Sequence, residues 1–321
     1  MQSENKKNLK LTPDGVQNLT IVAIFIVLCL VGIFFEPKLF LSEANIKNIF
    51  INSANVIITA SVVTLVLNTG NLNLSVGGMA AMSGVLFALF TKQQMGFLPS
   101  MLLTMAICVA LGVICGYSIA KFALPSFIIT LAFNYICRGI GQIIAKGAIY
   151  YTEAGIVNFF GSTIGGFPLP MLYAILFTLI FIFVQKKTTF GNKCYAIGAN
   201  MTAAKLSGIS HVGVITSVFA LSSFAAAFTG ILFCCRINCG DSNIFPSLHA
   251  DAIVAAVLGG TDVNGGRGTV FGMFIGALLV TVLTNIMNMQ DITTYIQDAI
   301  KGVVLVLAIL MNNIIRDKVR V

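Results

Sequence analysis

The sequence predicts an all-α integral membrane protein of about ten spanning helices, a single polytopic unit over residues 1–321. Three observations predict it. The chain is 57% hydrophobic and 9% charged with a mean hydropathy of +0.95, more apolar surface than a soluble core can hide. Charge-free runs occur at 19–35, 48–91, 97–120, 167–185, 214–235 and 269–290, and a spanning helix needs roughly 20 apolar residues. Basic residues gather between alternate runs, as positive-inside orientation requires.

The spans fall at 19–35, 45–67, 75–91, 97–120, 125–146, 167–185, 214–235, 248–260, 269–288 and 295–313. The first ends at Glu36-Pro37 without a small-residue cleavage site, so it reads as a retained anchor rather than a signal peptide. The segment at 248–260 is short for a span and reads as a partly extended or broken helix. Loops are expected at 147–166 and 186–213. This order places both termini in the cytoplasm of a bacterial-type plasma membrane. Lys6, Lys7, Lys10, Lys121, Lys186, Lys187, Lys193, Lys205, Arg267, Arg316, Lys318 and Arg320 then lie inside, against Lys38, Lys92, Lys146 and Arg236 outside.

The net charge of +8 is explained by those loops and calls for no nucleic-acid partner. The eight cysteines form no CxxC pair and read as small buried hydrophobes rather than metal ligands. A phosphate loop of the GxxxxGK[ST] kind is missing, and GGRG at 265–268 lacks the Lys-Ser/Thr. Neither a hydrolase elbow nor an HExxH helix is present, and the histidines are His211 and His249 alone. The expectation is a chain that is not an enzyme and binds neither cofactor nor metal.

Two polar breaks interrupt the apolar pattern. The first supplies candidate pathway-lining residues Asn68, Thr69, Gly70, Asn71, Asn73, Ser75 and Gly77. The second holds Gly259, Gly260, Asp262, Gly265, Gly266 and Arg267. Backbone freed from helical pairing is tolerated at membrane depth only where protein or a watery cavity satisfies it. One break in each half suggests inverted repeats. Small polar solutes suit such a neutral route better than ions. Charges within apolar stretches are few: Lys47, Arg138, Asp251, Asp298 and Lys301. Asp298 and Lys301, three apart on a helix, are expected to pair; Arg138 shows no local partner; Asp251 is expected to cap the helix that follows it.

Four stretches carry a resemblance: TGNLNLSVGGMAAMSG from Thr69, YAIGANMTAAKLSGI at 195–209, DAIVAAVLGGTDVNGGRGTVFGMFIGALL at 251–279, and DAIKGVVLVLAIL at 298–310. In their order and spacing they resemble the permease subunits of monosaccharide ABC importers of the ribose, xylose and arabinose type. The resemblance implies a second permease chain, identical or homologous, two cytoplasmic ABC ATPase subunits that bind the ATP, and an extracytoplasmic sugar-binding protein. It implies that Ala203, Ala204, Lys205, Leu206, Ser207 and Gly208, within the loop from Gly191 to Gly213, dock the ATPase, with Gly208 ending a short helix. Two departures stand out: Asn73 occupies an acidic position of a motif close to TGGIDLSVG, and no acid accompanies Met201 and Thr202. An ion-coupled secondary transporter or channel, and a non-transporting membrane scaffold, stay open beside this reading.

Overall fold

The computed structural model describes residues 13–146, 150–151 and 163–319. Lys6, Lys7, Lys10, Arg320 and most of the expected loop at 147–166 lie outside the described residues. Thirteen helices run in order among those described: α1 (Pro13–Phe35), α2 (Pro37–Phe40), α3 (Glu43–Asn68), α4 (Val76–Lys92), α5 (Phe97–Phe122), α6 (Ser126–Ala145), α7 (Leu169–Lys187), α8 (Thr189–Ala199), α9 (Met201–Leu206), α10 (His211–Ile237), α11 (Leu248–Leu258), α12 (Val270–Met289) and α13 (Thr294–Val319). Each predicted span falls on one of these helices. Six of them, α3, α5, α6, α7, α10 and α12, are long and apolar enough to cross a bilayer.

The centre of the fold is an antiparallel pair, α3 and α10. Their apolar windows are 83% and 72% buried, against 28% for α5 and 22% for α6, which turn most of their surface outward. Thr59 of α3 meets Thr229 of α10 at 3.1 Å, and Arg236 donates to Asn52 at 3.2 Å, which fixes the opposite directions. Glycines bring the other helices close. A Cβ on Gly230 would overlap the Ala80 carbonyl oxygen of α4, one on Gly116 of α5 would come within 2.7 Å of the Phe219 Cβ, and one on Gly276 of α12 would overlap the Ala255 carbonyl oxygen of α11. Without a hydrophobic drive between helices in lipid, such small-residue contacts are how they associate. Phenylalanine fills the remaining seam: Phe177 of α7 stacks on Phe228 of α10 with centroids 5.1 Å apart.

The stretch at 186–213, expected as a loop with one short helix, is instead two capped helices. Thr188 accepts the Gly191 N–H at 3.3 Å to start α8, and Asn200 accepts the Ala203 N–H at 3.0 Å to start α9. Glycine and asparagine within α8 hide its periodicity, while the caps supply the local stability. Gly208, at φ +79°, closes α9 through the Ile209 N–H to Ala204 carbonyl bond of 3.0 Å, as expected.

One pattern occurs twice in opposite directions: a long central helix, an irregular segment, a shorter helix, then a further long helix. In the first half it is α3, residues 69–75, α4 and α5; in the second it is α10, residues 238–247, α11 and α12. The irregular partner of the first break is thus 238–247, and not the glycine-rich turn at 259–268 that was expected to match it. That turn joins α11 to α12 at the end of the molecule where α3 and α7 also finish. Lys121, Lys186, Lys187, Lys193, Lys205 and Arg267 sit at this end, and Lys38, Lys92, Lys146 and Arg236 at the other.

Candidate functional site

The irregular segments at 69–75 and 238–247 enter the helical body from opposite ends, and the helices they lead into begin beside each other. A Cβ on Gly77, in the first turn of α4, would lie 3.1 Å from the Phe245 carbonyl oxygen and 3.3 Å from His249 Nδ1, in the first turn of α11. The two helix N-termini therefore meet where the segments cross.

The crossing is held by buried polar contacts. Asn73 is 0% exposed and Ser75 2%. Asn73 Oδ1 accepts the Ser75 N–H at 3.0 Å and its hydroxyl at 2.7 Å, while Asn73 Nδ2 donates to Ser222 Oγ of α10 at 3.0 Å. Of the expected pathway residues, Asn68, Thr69, Asn73, Ser75 and Gly77 are buried, Asn71 is half-buried and Gly70 is exposed.

Helix α6 runs beside both segments and supplies partners that helical pairing would otherwise provide. Ser126 Oγ accepts the Leu72 N–H at 3.0 Å, and Asn134 Oδ1 accepts the Gly78 N–H at 2.7 Å. One turn on, the Arg138 guanidinium donates to the carbonyls of Ser242 at 2.8 Å, Ile244 at 3.3 Å and Phe245 at 3.2 Å. Arg138, for which the sequence showed no partner, therefore satisfies carbonyls of the irregular segment that leads into α11. Phe245 holds a left-handed φ of +56°, rare for a bulky side chain, and packs edge-on against Phe233.

Two further charge assignments are corrected. Lys301 Nζ pairs with Asp251 Oδ1 of α11 at 2.9 Å, not with Asp298, which is exposed. Asp251 does not cap α11, because Ser247 holds the N-cap position and Asp251 sits a turn inside the helix. The pair thus ties α13 to α11. Helical spacing favoured Asp298, but α13 directs Lys301 inward, where a buried ammonium needs the buried carboxylate.

The second predicted break packs under the first. The Gly266 N–H donates to the Asn68 carbonyl at 3.0 Å, and a Cβ on Gly70 would come within 3.2 Å of the Asn264 carbonyl oxygen. Gly265 and Gly266, at φ +92° and +77°, make the turn that permits this approach. Gly259 lies against Gly272, Gly260 and Asp262 form the turn's entry, and the Arg267 carbonyl accepts the Asp262 N–H at 3.0 Å. Helix α8 closes the junction. A Cβ on its Gly198 would overlap the Asn68 carbonyl oxygen and lie 2.5 Å from the Gly266 nitrogen, and Tyr195 donates to the Gly268 carbonyl at 2.5 Å. From this junction α9 projects outward: Met201, Thr202, Ala203, Lys205, Leu206, Ser207 and Gly208 are exposed, Leu206 to 85%, and Ala204 is buried.

The model of the branched-chain amino acid transport system / permease component family matches residues 45–309. The chain belongs to this permease family. The permease is 31% identical over 280 residues to the probable ABC transporter permease protein YphD of Escherichia coli K12, covering 87% of this chain and 84% of that one. It is 30% identical over 295 residues to the D-allose transport system permease protein AlsC of the same organism, covering 91% and 90%. Against the ribose import permease protein RbsC of Bacillus subtilis it is 31% identical over 324 residues, covering 97% of each chain. No solved structure matches the permease.

Proposed function

We propose that this chain is the membrane subunit of an ATP-driven importer that carries a monosaccharide or similar small polar solute into a bacterial cell across the plasma membrane. Its sugar-permease relatives support the solute class. The twofold pattern of the fold and the concentration of Lys and Arg at one end support a reading of ten spans arranged as inverted repeats with both termini in the cytoplasm.

The observation that carries the reading is α9, an exposed knob at the basic end whose root, α8, is packed backbone to backbone against both glycine-rich breaks. It is the surface on which ABC ATPase subunits would seat, and ATP would be bound there by those subunits and not by this chain. The extracytoplasmic sugar-binding protein would meet the opposite end. A second permease chain, identical or homologous, would pack along α6 and α13. Both helices leave a glycine open on their outer surface, Gly139 and Gly302, where a Cβ would meet nothing within 4 Å. Asn68, Thr69, Asn71, Asn73 and Ser75 would line the solute's route once the crossed segments part.

Gly208→Asp tests the knob. The turn accepts the backbone, since aspartate tolerates the left-handed region better than most residues, so the protein inserts, but the new charge faces the ATPase. Uptake is expected to fall while ATP hydrolysis continues. Coupled transport at the normal ratio would remove α9 from the docking role. Purification by a C-terminal tag from the native membrane, with mass spectrometry of what accompanies the chain, tests the assembly: a nucleotide-binding subunit is expected, and its absence from a folded sample would contradict the reading.

A further inference from the structure

We propose that Asn134 and Arg138 form a two-point clasp through which α6 locks the crossed segments in their closed alignment, and that releasing it is the step that opens the crossing. The inference rests on the importer reading for the meaning of opening, while the clasp itself rests on geometry. Asn134 and Arg138 stand four apart, on one face of α6. Asn134 accepts from the first turn of α4, the helix that follows the first segment. Arg138 spans three carbonyls of the second segment. Two segments from opposite halves of the chain are therefore fastened to one helix at points a single turn apart.

Each bond answers a specific need. The Gly78 N–H belongs to the first turn of a helix, where amides have no helical acceptor. The carbonyls of Ser242, Ile244 and Phe245 belong to irregular backbone set within the helical body, with no helix or strand ladder to pair them, and each such group left unsatisfied away from water costs free energy. A guanidinium is suited to that task because its planar array of donors reaches three carbonyls at once, whereas an ammonium is a compact charge. Phe245 adds a bias toward release: its left-handed backbone is strained, and Arg138 holds its carbonyl in place. Helix α6 itself is exposed along its other face, with Tyr135 68% exposed, so it is free to be moved by a neighbouring chain. A shift of α6 would loosen both segments together.

The test uses the complete complex in liposomes. Leu248, the first residue of α11, is 3% exposed, and a Leu248→Cys reporter placed there reads the crossing through its reaction with a polar thiol reagent, mapped by peptide mass spectrometry. In the otherwise native chain the reporter should react slowly without nucleotide. With Arg138→Met the rate should rise about tenfold or more, as expected when charge-assisted hydrogen bonds are lost from the closed state alone. Arg138→Lys should fall between, and Asn134→Leu should act in the same direction. Passive efflux of D-ribose without ATP should rise in step, a readout that a purely structural role would not move.

Unchanged labelling in a folded Arg138→Met complex would overturn the clasp, and so would Arg138→Lys behaving as the native residue. If Arg138→Met does not insert, the lysine and Asn134→Leu variants decide by the same criteria. ATP-driven D-ribose uptake by the native complex reports on the importer reading separately, so the two can fail independently.

Discussion

Gly198→Val is expected to abolish ATP-driven uptake while leaving the ATPase subunit bound. Gly198 lies on α8 between the exposed knob and the two breaks, and any side chain there would overlap the Asn68 carbonyl and crowd the Gly266 nitrogen. Both neighbours are backbone and cannot rotate away. The hydrogen bond from Gly266 to Asn68, 3.0 Å long, must then lengthen or break. Overpacking costs about 1–3 kcal/mol and the lost bond roughly 1 kcal/mol more, enough to separate α8 from the breaks without unfolding long helices anchored elsewhere. Movement of the knob would no longer reach the crossing. Uptake by proteoliposomes, alongside recovery of the ATPase on a tagged permease, checks this. Normal uptake would show that the glycine junction transmits nothing.

Lys301→Met is expected to be the most destabilising single substitution among the charged residues. The Lys301 and Asp251 side chains are 12% and 16% exposed, and the ammonium is the partner of a carboxylate buried between α11 and α13. Removing it leaves that carboxylate alone, at about 3–5 kcal/mol, which corresponds to a fall in melting temperature on the order of 10 °C. The double variant Asp251→Leu with Lys301→Met should recover most of the loss, because two apolar side chains replace a buried pair at little cost. Melting of the purified protein in detergent distinguishes these outcomes. A single variant as stable as the double would mean that the pair is hydrated and contributes little.

The helical frame was legible because apolar runs and positive-inside charge are long-range signals that a single sequence carries in full. Span boundaries such as Ser126–Ala145 followed the expected 125–146 closely. The first break was legible because glycine, asparagine and serine interrupt an otherwise unbroken apolar run. Its counterpart at 238–247 was missed in favour of the more glycine-rich 259–268, although Asn238, Gly240, Asp241, Asn243 and Pro246 mark it as irregular. What the sequence could not show is which polar residue meets which. Lys301 had a local candidate in Asp298, and only the packing of α13 on α11 selects Asp251. Arg138 had no local candidate, since its acceptors are backbone carbonyls more than 100 positions away, and carbonyls leave no mark in a sequence. The burial of Asn73 has the same origin: an amide that looks suited to a passing solute is consumed by Ser75 and Ser222.

The most direct test of the importer assignment is solute flux. The permease, reconstituted with its ATPase subunits and binding protein, should accumulate at least one aldose from a panel including ribose, allose and arabinose. Accumulation should require ATP inside the compartment that holds the basic end, and it should persist when ionophores collapse every ion gradient. Flux that ignores ATP, or that vanishes with the gradients while ATP is intact, would contradict the account and point to an ion-coupled transporter.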